Sequence, residues 1–234
     1  MPPGVKWLIV VNVALFIAYH LAMRAGYASI FNPFRLSLRW VTDIFAVWQI
    51  FTYMFLHDPY GPMHILFNML FLWMFGKDIE PVWGTRRFLQ YYFVCGMGAG
   101  ICALLMSATF GTGNETTIGA SGAIFGLLLA FGVLYPDATI LFFLIFPMKA
   151  KYAVMLYAAL AFFMTANPDA SGVSNIAHLG GMIWGYIYLK TNLFKHDYLA
   201  MGSDWHKQWK LQRARKKFQV YMRKQDEREG RFRH

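Results

Sequence analysis

The chain has 234 residues, of which 57% are hydrophobic, 18% aromatic and only 15% charged. So few charges over that length leave too little polar surface for an ordinary soluble globular domain. The formal net charge is +10, but the basic residues crowd the C-terminal end and a few short loops; this points to a membrane surface, and with no stacking platform or nucleic-acid motif beside them nucleic acid is not an expected partner.

Taken in chain order, residues 5–23 form a first span of the ~20 apolar residues a helix needs to cross a bilayer. The run lacks a small-residue cleavage site and reads as a retained span rather than a signal peptide. Asn12 within it reads as a helix-packing group and His20 as an interfacial one. Residues 24–62 are a long semi-polar connection carrying Trp40, Phe45, Trp48, Phe51, Tyr53 and Phe55, a density of aromatics that suits a segment lying in the interface.

Residues 63–80 form a second span, followed by a basic turn over Pro81–Arg87. Residues 88–110 form a third, with Gly96 and Gly100 in small-xxx-small spacing. Cys95 and Cys102 share one face of it but stand about 10 Å apart along the axis, too far for a disulfide; they read as buried, inert thiols. A short polar loop covers 111–118, and a short fourth span covers 119–134, ended by Pro136 and Asp137. Residues 138–148 are apolar but too few to cross, and read as a re-entrant or interfacial turn. A fifth span covers about 150–166 and a sixth 173–190, separated by a loop at 167–172. The division is a membrane domain over 1–194 and a basic tail over 195–234, read as a surface helix on anionic headgroups or, alternatively, a solvated end.

Loop charges orient the spans. Lys77, Arg86, Arg87, Lys149, Lys151 and the basic tail fall on one side, whereas the loops after spans three and five hold no Lys or Arg. The positive-inside rule places both termini in the cytoplasm. His64, Ser121 and His178 then all lie in the outer half of the bilayer, each near the start of an inward-running helix.

Chemistry concentrates in three short stretches. In Ile118–Gly126, Ser121 stands between Gly119 and Gly122, whose missing side chains let another helix or a substrate backbone come close. A serine hydroxyl needs a base to become a nucleophile, and His178 in the last span is the candidate, since an ionisable residue inside a span is functional by default. Gly122 and Gly126 on span four, and Ala177, Gly181 and Gly185 on span six, give small-residue faces that bring two helices together. Upstream, His64 and Asn68 share a helix face at i, i+4 and present a ring N–H and an amide N–H, either to a developing oxyanion or to each other's neighbours as an interhelical bond. Phe125 lies one turn after Ser121. A zinc site built from His57, His64 and His178 is the other use of these rings, but no H-E-x-x-H or comparable spacing supports it, so neither a metal nor another cofactor is expected.

The ordered set His64-x-x-x-Asn68, Gly119-Ala-Ser121-Gly122 and Ala177-His178-x-Gly-Gly181, each in its own apolar segment, resembles the rhomboid family of intramembrane serine proteases over roughly residues 5–190. The resemblance implies an all-α, six-transmembrane-helix bundle with an interfacial first loop. It further implies a Ser121–His178 dyad, an oxyanion hole from His64, Asn68 and the Ser121 backbone N–H, and Phe125 stacked on the histidine. Gly119, Gly122 and Gly181 support the site, and His57 supports the loop. The substrates implied are transmembrane segments of membrane proteins, cut near their outer ends, with a plasma (inner) membrane location. The family's Trp-Arg pair appears here in reverse as Arg39-Trp40, and no role is carried over to it. The rivals are a non-catalytic rhomboid-like membrane-protein binder and a transporter; the latter would show repeat symmetry between halves, which this sequence lacks.

Overall fold

The computed structural model describes residues 1–110, 115–142, 145–165 and 172–191, with the backbone alone over 172–174. The loop expected at 167–172 (all but its last residue) and the tail at 195–234 lie outside the described residues.

Helix α1 (Pro3–Arg24) is apolar almost throughout and opens on Pro3, whose fixed φ and missing N–H suit a first helical position. Its N-terminus has no side-chain cap of its own. The cap comes instead from Glu80, near the end of α4 (Pro62–Trp83). Its carboxylate accepts from Gly4 N–H and Val5 N–H, both at 2.8 Å, and from Thr85 Oγ at 2.7 Å. A carboxylate at a helix N-terminus also meets the positive end of the helix dipole, which explains how Glu80 can be 2% exposed. Asn12 is fully buried in α1 and donates its amide back to the Leu8 carbonyl at 2.7 Å. His20 Nδ1–H reaches across to the Pro59 carbonyl at 2.9 Å.

The first connection folds as two 3-10 turns (Ala28–Phe34 and Tyr53–Phe55) and two short helices, α2 (Leu38–Ile44) and α3 (Gln49–Thr52). Between them strand β1 (Leu36–Ser37) pairs antiparallel with β2 (Thr116–Thr117), so the first loop is laced to the segment just before Ser121. Phe45, Val47, Ile44 and Trp48 from this loop stay exposed, as expected of a segment in the interface.

Two sequence expectations change here. The basic turn at Pro81–Arg87 shrinks to one residue: α4 continues through Pro81 to Trp83, and α5 (Thr85–Phe110) starts at Thr85. Gly84, at φ 77°, supplies the left-handed step that a longer turn would otherwise have to provide. The apolar run at 138–148 is a β-hairpin, β3 (Thr139–Phe142) with β4 (Phe146–Lys149), in register Ile140–Met148 and Phe142–Phe146. Its alternation is strand-like, with Ile140 and Phe142 buried and Thr139 and Leu141 exposed. Among the described residues the chain is therefore mainly helical with two small ladders rather than purely α. Cys95 is buried as expected, but Cys102 is only half-buried; both are free.

The core is made by α5, α6 (Ser121–Leu134) and α8 (Gly172–Lys190), with α4 alongside and α7 (Ala150–Thr165) at the flank. Among the described residues two helices, α1 and α5, are by themselves long and apolar enough to cross a membrane. α4 carries Lys77, Asp78 and Glu80 in its last turns, and α6 and α7 have only 14 and 16 residues.

Candidate active site

Ser121 is the first residue of α6, reached through Gly119 at φ 120°. No other residue type fits there. The conformation is one that L side chains rarely adopt, and a Cβ would lie 2.9 Å from His64 Nε2. Gly119 N–H donates to the Tyr53 carbonyl at 2.9 Å, and the Tyr53 hydroxyl donates to the Gly96 carbonyl at 2.6 Å. Tyr53, 2% exposed, thus ties the first loop, the turn before Ser121 and α5 together. The sequence marked it only as one aromatic among many; no local signal sets it apart.

α8 comes against α6 with no side chain between them. A Cβ on Gly181 would collide with the Gly122 carbonyl, and one on Gly126 would meet Cys95 of α5 first and then the Gly181 carbonyl at 3.2 Å. Gly122 in turn faces Ala99 on α5 and the Ala177 carbonyl. Gly185, expected on the same seam, instead makes room for the Tyr91 hydroxyl and Cys95 on α5. This backbone-to-backbone approach, which small residues make possible, brings His178 Nε2 to 2.8 Å from Ser121 Oγ. The Phe125 ring lies flat on the imidazole, with centroids 4.3 Å apart and planes 3° from parallel. Tyr157 of α7 meets Phe125 edge-on, with centroids 6.1 Å apart.

Asp58 N–H, in the loop before α4, donates to His64 Nδ1 on α4 at 3.3 Å. An accepting Nδ1 puts the proton of the neutral ring on Nε2, the atom that faces Gly119. Asn68 is buried and donates one amide hydrogen to the His64 carbonyl of its own helix at 2.7 Å, with a second hydrogen remaining. His57 is fully buried with its ring 5.1 Å from that of His64. Burial, with the His64 ring second, pushes His57 down to about 3, so it is neutral at physiological pH. Among the described residues no cluster of three His, Cys, Asp or Glu side chains forms a metal site.

Residues 45–193 match the model of the Rhomboid domain, more than half of the chain. The chain belongs to the rhomboid family. Its similarity to Rhomboid-like protein 11, chloroplastic, of Arabidopsis thaliana is 28% identity over 86% of this chain and 69% of that protein. Rhomboid protease GluP of Bacillus subtilis is 33% identical over 59% of this chain but only 25% of its own length. Rhomboid protease GlpG of Pectobacterium atrosepticum is 28% identical over 79% of this chain and 63% of its own length. Membership makes the chain an integral membrane protein, and the match starts at residue 45, so it takes in part of the first loop, the turn at Gly119 and both partners of the Ser121–His178 contact.

Proposed function

We propose that this rhomboid-family chain is an intramembrane serine endopeptidase that cleaves transmembrane segments of membrane proteins near their outer ends. The observation that carries the reading is the 2.8 Å contact between Ser121 Oγ and His178 Nε2, with Phe125 holding the ring in plane. Nε2 takes the hydroxyl proton as Oγ attacks the scissile carbonyl, and the same proton then passes to the leaving amine. Water repeats the sequence on the acyl-enzyme. The tetrahedral oxyanion meets the Ser121 N–H, which has no partner within the helix it starts. His64 Nε2–H and the second amide hydrogen of Asn68 complete the hole. The stacked Phe125 does the orienting that a carboxylate performs in a triad.

The bundle reading has six spans: α1, α4, α5, α6, α7 and α8. With 14 residues, α6 is about 21 Å long, short of the ~30 Å hydrocarbon core. Its Ser121 end therefore lies below the bilayer surface, and a water-filled opening from outside is what lets hydrolysis proceed at that depth. Loop charges favour cytoplasmic termini; a plasma-membrane location belongs to the same proposal, with 1–194 as the membrane domain and 195–234 as the tail.

The test uses a fluorophosphonate probe and a panel of single-span substrates. Wild type labels once, at Ser121. Ser121→Ala abolishes labelling and cleavage, His178→Ala reduces both severely, and the double variant is no worse, because the pair acts as a unit. Ser107, buried on α5, is the control and stays unlabelled. A folded wild type that binds these substrates yet neither labels nor cleaves makes the chain a non-catalytic binder.

A further inference from the structure

Between α7 and α8 runs an open apolar groove of about 360 Å³. Val154, Met155 and Ala158 form one wall, and Leu179, Ile183 and Tyr186 form the other. From 179 to 186 the wall is about 10 Å long. Met155, Ile183 and Tyr186 are each more than half exposed, so the described residues leave this face uncovered. It lies on the side of α8 that does not meet the Gly122 seam.

The two ends of the groove differ. At one end Leu179 follows His178 directly. At the other, Lys190 holds its ammonium 5.7 Å over the Tyr186 ring. Lys151 stands one turn before Val154 and Met155, hence on their face of α7. It shares the single carboxylate of Asp137 with Lys149, at 3.0 and 3.4 Å, which leaves that trio with surplus positive charge. A cationic mouth opening into an apolar channel has the chemistry of a phospholipid with an anionic headgroup. We infer that the groove holds an acyl chain of one anionic bilayer phospholipid, its phosphate against Lys190 at the lysine-bearing mouth. The chain then bridges α7 to α8 up to the residue beside His178. The site does not depend on the proteolytic reading.

Native mass spectrometry of the detergent-purified full chain, mixed with phosphatidylglycerol or phosphatidylcholine, tests this. Wild type retains one phosphatidylglycerol in preference to phosphatidylcholine. Lys190→Gln, at an exposed position, lowers that retention about fivefold. Ala158→Trp and Ile183→Trp, which fill the channel, abolish it. Ser121→Ala binds as wild type does, so a failed protease assay and a failed lipid assay are separate results. Equal retention of the two lipids overturns the inference, as does retention unmoved by Lys190→Gln. So does retention that survives both Trp variants, since the basic tail common to all of them would then be the binding element. Dimers of the chain that the Trp variants dissociate would give the groove to a second copy instead.

Discussion

α8 and α7 lie on neighbouring flanks of α6 but pack in different ways. α8 meets α6 through glycine, with the Gly181 position against the Gly122 carbonyl and Gly126 against the Gly181 carbonyl. α7 buries only Ala150, Ala153 and Ala161 and leaves Phe162 and Phe163 largely exposed. It reaches the site through long side chains: Tyr157 touches Phe125 and Phe142. A cavity of about 40 Å³ remains between Phe75, Phe125, Leu128, Ile140 and Tyr157. Backbone-to-backbone packing has no rotamers to adjust, so it holds His178 closely against Ser121, as the proposed proton transfer would require. Contacts through flexible side chains tolerate rearrangement, which would suit a helix beside the proposed protease site.

The largest blow to this contrast is Gly181→Leu. Its side chain has no room against Gly122, so α8 must move off α6. A loss of more than about 3 kcal/mol is expected, beyond ordinary overpacking, together with all fluorophosphonate labelling. Thermal unfolding in detergent measures the first and gel fluorescence the second. A variant that still labels at the wild-type rate would show that the seam does not set the dyad distance.

Next in size is Glu80→Ala, which strands Gly4 N–H and Val5 N–H at the start of α1. Losing charge-assisted bonds to buried donors costs about 3 kcal/mol. The expected signature is a lower melting temperature with labelling per folded molecule unchanged, because the seam is untouched. A labelling rate that falls as far as the stability would tie α1 to the site and blur the comparison.

Phe125→Leu keeps the volume of α6 nearly intact but removes the stack on His178. A stacked aromatic pair contributes about 1 kcal/mol, so cleavage turnover falls about tenfold or less while unfolding shifts little. Unchanged turnover would mean that the seam alone orients the imidazole.

The smallest effect is expected on the α7 side. Lys151 and Lys149, bonded to the Asp137 carboxylate at the base of the hairpin, hold it below its ordinary value of 3.8. A depressed folded value means that the contribution is complete above the ordinary carboxylate range and is lost as the pH falls through the folded value. Because the group is fully exposed, the change is confined to faster amide exchange in β3 and β4 at acid pH. Global unfolding over the same pH window would contradict a loosely attached hairpin.

What the sequence determined by itself was local. Apolar length marked the helices at 5–23, 63–80, 88–110, 119–134, 150–166 and 173–190 to within a few residues. Glycine flanking a serine, a histidine in a span, and His64 and Asn68 at i, i+4 singled out the residues to watch. It erred where neighbouring residues gave ambiguous signals. An apolar run of about ten was as compatible with a re-entrant turn as with the hairpin it forms, and Pro81–Arg87 read as a basic turn although one glycine suffices to turn the chain. What only the tertiary structure decided were relations between distant residues. Ser121 and His178 are separated by 57 positions, the Glu80 carboxylate and Gly4 by 76, and Arg35 and Thr116, which lace the first loop to the serine turn, by 81. The tying roles of Tyr53 and Glu80 could not be read from the sequence for the same reason. A buried hydroxyl or carboxylate is accounted for by its partners, and here those are mostly backbone groups, whose availability depends on how the chain has folded and not on which side chains it carries.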